Sequence, residues 1–122
     1  MKKKILIVDD EEGDRELIRE ALFRSGFDFE VMTADTGERA VEKAKIEKPD
    51  IVILDTNLPG INGFETCRQI KRLYPSDFIK IIVVTGLIDA VDAGKARQHG
   101  ADDYCAKSSD CEEVIAAVKD LG

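Results

Sequence analysis

Five polar residues of this sequence stand directly after apolar runs, and their types suit one chemistry. Asp9 and Asp10 follow "ILIV", Asp55 follows "IVIL", Thr85 follows "IKIIVV", and Lys107 follows "DYCA". Three carboxylates gathered at one place repel one another and require a hard cation. Mg²⁺ takes oxygen ligands and keeps waters that leave room for a phosphate. A carboxylate is also a nucleophile towards phosphorus, giving an aspartyl-phosphate. Charge that builds up during phosphoryl transfer is offset by metal and by cationic partners. Lys107 supplies a compact positive charge, and the Thr85 hydroxyl can donate one hydrogen bond. Singly, each residue has a plain reading. A strand-ending Asp ordinarily serves a turn, and a lone Thr or Lys there says nothing. Five such residues at four strand ends do not reduce to that reading.

The elements that must bring them together are legible as periodicities. Apolar runs recur at 5–8, 29–34, 51–54, 79–84 and 103–106. Three of them are nearly continuous and rich in β-branched residues, the pattern of strands buried on both faces of a parallel sheet. Helical stripes lie between them: Leu17, Ile18, Ala21 and Leu22; then Ala40, Val41 and Ala44; then Phe64, Cys67, Ile70 and Tyr74; and last Val114, Ile115, Val118 and Leu121. Thr36 is placed to cap the second helix, and Ser109 with Glu112 reads as a capping box for the last. Segment 89–99 has the weakest helical pattern, with small apolar residues and an internal Gly94. The order is βα repeated five times, which predicts an open, doubly wound α/β sheet of flavodoxin-like type. With strand order 2-1-3-4-5, strands 1, 3 and 4 are neighbours and strand 5 flanks them. Their carboxyl ends then share one rim, where such folds place their sites.

Composition limits the alternatives. The 122 residues suit one domain, 1–122, with 43% hydrophobic and 35% charged residues and no low-complexity tract. A net charge of −7 argues against direct nucleic-acid binding, which needs clustered Lys and Arg. "MKKKILIV" meets Asp9 after four apolar residues, too early for a signal peptide, and no run approaches the roughly 20 apolar residues of a membrane helix. The expected location is cytoplasmic. Cys67, Cys105 and Cys111 match no zinc or redox spacing and are expected to be buried bystander thiols. The single His99 is expected at the surface.

At this point the sequence resembles the response-regulator receiver domain of two-component signalling. "ILIVDDE", "ILDTNLPGINGFE", "VVTG" and "DDYCAK" match that family's motifs in order and spacing over essentially the whole chain. The resemblance implies Asp55 as phosphoacceptor and Asp10 as a direct Mg²⁺ ligand, with Asp9 acting mostly through water. It implies that the backbone carbonyl of Asn57 completes the metal site. Thr85 becomes the hydroxyl that moves onto the phosphoryl group, Lys107 the lysine that pairs with it, and Tyr104 the aromatic ring that swings inward as Thr85 moves. Read from the residues alone, Tyr104 is a packed strand residue. Pro59, Gly60 and Gly63 match the turn that shapes the loop after the acceptor. Ser108 stands where the family usually has Pro. A Lys107–Ser108 bond is expected to be trans, because a cis non-prolyl bond costs about 3 kcal/mol. Gly86 leaves the phosphate uncrowded. Leu87 cannot orient a water by hydrogen bonding, so no acceleration of dephosphorylation is expected from it.

The function implied is a switch rather than an enzyme with an external substrate. A sensor histidine kinase or histidine phosphotransfer protein would donate to Asp55, and the domain would promote only its own phosphorylation and dephosphorylation. A downstream target or fused output domain would read the face of helix 4, strand 5 and helix 5, which also offers a homodimer surface on phosphorylation. Two alternatives differ in class. A phosphatase with an aspartyl nucleophile normally carries a second Asp two residues on, where this chain has Asn57. A pseudo-receiver would be a phosphorylation-independent interaction module, and only Ser108 leans that way.

Overall fold

The computed structural model describes residues 3–75, 78–86, 90–107 and 111–121. Leu87, Ser108 and Ser109, singled out above, lie outside them. Five strands alternate with five helices: β1 (Lys3–Val8), α1 (Glu12–Arg24), β2 (Phe29–Ala34), α2 (Gly37–Glu47), β3 (Ile51–Asp55), α3 (Gly63–Lys71), β4 (Lys80–Thr85), α4 (Ala90–Gln98), β5 (Asp103–Ala106) and α5 (Glu112–Leu121). The sheet is parallel throughout, in the expected order β2-β1-β3-β4-β5. β2 and β5 match the sequence reading residue for residue. β1 begins two residues before its apolar run and β4 one residue after the start of its own, and Asp55 and Thr85 close β3 and β4, as the strand-end reading expects.

Side-chain alternation sorts the strands into two cores. On one face Ile5, Ile7, Ile51, Ile53, Ile82, Val84 and Cys105 pack beneath Ile18, Ala21 and Leu22 of α1 and Val114, Ala117 and Val118 of α5. On the other face Leu6, Val8, Val52, Leu54, Ile81 and Val83 pack beneath Ala40 and Ala44 of α2, Cys67 and Ile70 of α3, and Ala96 of α4. Every residue of β3 is buried. That double cover explains the unbroken apolar runs. Leu17 departs from its expected stripe. It is 39% exposed while Ile18, Ala21 and Leu22 are buried. The α1 stripe is therefore narrower than the sequence pattern, and Leu17 lies on the outer face.

Among the described residues, two helix starts carry side-chain caps. The Thr36 hydroxyl accepts the Arg39 amide at 3.1 Å, as expected, and the Asn62 side chain accepts the Glu65 amide at 2.9 Å. α4 forms despite its poor pattern. No helix among the described residues is long and apolar enough to cross a membrane.

Candidate functional site

The rim forms because four neighbouring strands, β1, β3, β4 and β5, end at nearly the same level. β1 lies between β2 and β3, so Asp9 leaves Val8 beside the end of β3. Its amide donates to the Ala34 carbonyl at 3.1 Å, carrying the β1–β2 ladder one residue past the strand. The Thr56 amide donates to the Val84 carbonyl at 3.1 Å, and the Lys107 amide to the Thr85 carbonyl at 2.7 Å. Backbone pairing therefore fixes the positions of Asp9, Asp55, Thr85 and Lys107 at the rim.

Asp9 and Asp55 are buried, Asp10 is exposed, and carboxylate oxygens of all three lie within 4.8 Å of one another. The Lys107 ammonium bridges Asp9 at 2.9 Å and Asp55 at 3.4 Å, and also meets Asp14 at 2.8 Å. The Glu11 amide donates to the Asp9 carboxylate at 2.9 Å, and the Asn57 amide to the Asp55 carboxylate at 3.3 Å. Arg15 of α1 donates to the main-chain oxygen of Asp9 at 2.7 Å. Thr85 is buried, and its hydroxyl oxygen accepts a hydrogen bond from the Thr56 hydroxyl at 3.3 Å. Tyr104 is half-buried against the core beneath α3 and α4.

The electrostatics follow from this crowding. Burial raises the Asp55 carboxyl above its usual range, and the Asp9 charge raises it further; the Asn57 amide and Lys107 oppose the shift. Burial alone would lower the Lys107 ammonium. The carboxylates of Asp14, Asp9 and Asp55 more than reverse this, so Lys107 holds its proton above the ordinary lysine value. A site with two buried carboxylates, a third at the solvent edge and only oxygen donors suits a hard divalent cation that keeps part of its water shell. The residues present therefore fit Mg²⁺.

The turn after Asp55 is shaped by small residues. Gly60 has φ of 76°, a conformation that L side chains avoid. A β-carbon at Gly63 would collide with the Asp55 carbonyl and stand 2.7 Å from the Thr56 α-carbon. Gly63 thus lets α3 begin hard against the strand end that presents Asp55.

All the side chains singled out on the strand ends meet at this rim, with Asn57 next to them and Tyr104 set on the adjoining face. Two residues were missed. Asp14 is one of several acids opening α1, with nothing in the sequence to separate it from Glu11 and Glu12. Thr56 was overshadowed by its neighbour, although its place directly after Asp55 was a usable signal. His99 differs from expectation. It is half-buried, with Nδ1 2.7 Å from the Lys95 carbonyl and its ring 5.9 Å from that of Phe64. The three cysteines are buried, as expected.

Known proteins are similar to this chain in sequence and fold. The response regulator receiver domain matches residues 5–119. The chain is 42% identical over 122 residues to the alkaline phosphatase synthesis transcriptional regulatory protein PhoP of Bacillus subtilis, covering 98% of this chain and 48% of that protein. It is 36% identical over 120 residues to the transcriptional regulatory protein CreB of Escherichia coli, covering 98% of this chain and 51% of that one. The chain thus spans about half the length of the curated relatives it matches. Among solved structures, the BeF3-activated DrrB receiver domain superposes with a TM-score of 0.85 at 34% identity, over 99% of this chain and 97% of that one. The chemotaxis protein CheY4 of Vibrio cholerae superposes with a TM-score of 0.89 at 25% identity, over the full length of both chains. The chain belongs to the response regulator receiver domain family of two-component systems.

Proposed function

We propose that Asp55 is the phosphoacceptor of a signalling switch. The observation that carries this reading is the convergence of the Asp9, Asp10 and Asp55 carboxylates within 4.8 Å, with the Lys107 ammonium bridging two of them. One carboxylate oxygen of Asp55 attacks phosphorus. The P–N bond of a donor phosphohistidine breaks, and its electron pair leaves on the imidazole nitrogen. Asp9, Asp10, Asp55 and the Asn57 carbonyl would hold Mg²⁺, which when bound supplies positive charge against the phosphoryl oxygens. Lys107 stays protonated and pairs with the phosphoryl group. The Thr85 hydroxyl exchanges its contact with Thr56 for a phosphoryl oxygen, and the Tyr104 ring follows inward. The two arrangements form an equilibrium that phosphorylation biases.

The donor is a sensor histidine kinase or histidine phosphotransfer protein. The reader is a downstream target or an output domain on the face of α4, β5 and α5, which also serves homodimerisation. PhoP and CreB are transcriptional regulators about twice as long as this chain, which supports an output domain as the reader. This chain itself makes no nucleic-acid contact, works in the cytoplasm, and turns over no substrate beyond its own phosphoryl group.

The test is intact mass after incubation with a small-molecule phosphodonor and Mg²⁺. One phosphate should be gained, and lost in Asp55→Asn or when Mg²⁺ is chelated. No gain with small donors or with a panel of phosphorylated kinases would instead favour the phosphorylation-independent interaction module.

A further inference from the structure

Lys107 and a divalent cation draw on the same oxygens. The ammonium lies 2.9 Å from Oδ2 of Asp9 and 3.4 Å from Oδ2 of Asp55. Both residues belong to the group of three carboxylates that fits Mg²⁺. The other oxygen of each already accepts a backbone amide, Asp9 Oδ1 from Glu11 and Asp55 Oδ1 from Asn57. Two cations set against the same pair of oxygens repel each other at close range. To admit a metal ion, Lys107 must therefore loosen its hold on Asp9 and Asp55. A half-buried ammonium that loses its carboxylates without replacement is left desolvated and unpaired, which is costly.

Asp14 supplies the replacement. It stands in the first turn of α1, and its Oδ2 lies 2.8 Å from the Lys107 ammonium, the shortest of the three contacts. It is not one of the carboxylates that converge within 4.8 Å. Asp14 and Lys107 border a small cavity whose other walls include Ile18, Val84 and Val114, and an ion pair flanked by apolar side chains is less screened than one in open water. Lys107 is thus held from two sides, by Asp9 and Asp55 from the strand ends and by Asp14 from α1.

We propose that Asp14 is a positioning residue for the cation site: it parks Lys107 on α1, so that the ammonium yields the Asp9 and Asp55 oxygens to Mg²⁺ while staying paired at the rim. The inference rests on the reading of Asp9, Asp10 and Asp55 as the Mg²⁺ site and adds to it a residue from outside the strand ends. Without the Asp14 carboxylate, the remaining partners of Lys107 are the groups a cation needs, and the ammonium competes for them. A simple loss of negative charge behaves differently. It weakens the hold on a dication whether or not Lys107 is present, whereas an effect that passes through Lys107 disappears with it.

Amide NMR titration of the whole chain with magnesium chloride at constant ionic strength tests the proposal, with the Asp10 and Asn57 signals reporting binding. Asp14→Asn should weaken Mg²⁺ binding by about threefold to fivefold, the scale of a partly exposed ion pair. Asp14→Glu should keep most of the affinity. Lys107→Met should bind Mg²⁺ more tightly than the unsubstituted chain. In the Lys107→Met background, Asp14→Asn should change the affinity by less than about twofold, the coupling that a double-mutant cycle isolates. An equal loss from Asp14→Asn in both backgrounds, or no loss in either, overturns the inference and leaves the phosphoacceptor reading standing. Failure of the unsubstituted chain to bind Mg²⁺ overturns the metal site and this inference with it.

Discussion

Asp55 costs the fold something in the absence of a cation. The residue is 6% exposed and its carboxylate lies near that of buried Asp9, so the charge is both desolvated and repelled. Asparagine keeps the shape and removes the charge, and Lys107 would still hold Asp9 at 2.9 Å and Asp14 at 2.8 Å. Asp55→Asn should therefore melt higher than the unsubstituted chain by a few degrees in chelator, as seen by calorimetry, because sites built for function trade stability for charge. Gly63→Ala should do the reverse. Its β-carbon has no room beside Asp55 and Thr56, so the turn must shift. Both a lower melting temperature and slower phosphate gain are expected, read by calorimetry and timed intact mass. The rim was legible in the sequence because buried parallel strands admit almost no polar residue, so a charge or hydroxyl at the end of an apolar run stands out. Asp14 was not, since acids are common in the first turn of any helix, where they suit its dipole.

At the scale of the elements, α2 offers a clean measurement. Thr36 accepts the Arg39 amide at 3.1 Å from an extended backbone. Thr36→Ala should lower stability by about 0.5–2 kcal/mol, measured by denaturant unfolding with an unchanged slope. The Thr36 cap and the strands could be read ahead because each follows from local chemistry. Strand starts were less legible. β1 begins at Lys3, two residues before its apolar run, because its backbone already pairs with Phe29 and Glu30 of β2. Leu17 shows the complementary failure. Four apolar residues on α1 describe a wide stripe, but the sheet below meets only Ile18, Ala21 and Leu22. His99 was misjudged for a similar reason: its Lys95 carbonyl lies one turn back, while its Phe64 neighbour belongs to another helix.

The whole molecule should carry a signature at high pH. Burial pushes the Cys67 and Cys105 thiols up to about 12, from 9.0 for an ordinary thiol. The folded chain thus retains protons that the unfolded chain releases. The thiol contribution is fully present below pH 9 and is lost as pH rises from 9 towards 12, so unfolding free energy should fall across that window. Substituting either cysteine with Ala should flatten the fall, and neither thiol should react with iodoacetamide at pH 8 until denaturant is added.

The sheet also acts as a partition. Thr85 and Tyr104 share the side-chain parity of the layer beneath α2, α3 and α4, while α1 and α5 cover a separate core. Substitutions confined to the core beneath α1 change how firmly the domain is built without entering the layer that holds Thr85 and Tyr104. Robustness and responsiveness can therefore drift apart during evolution, and an engineer can harden one face of the sheet while tuning the other.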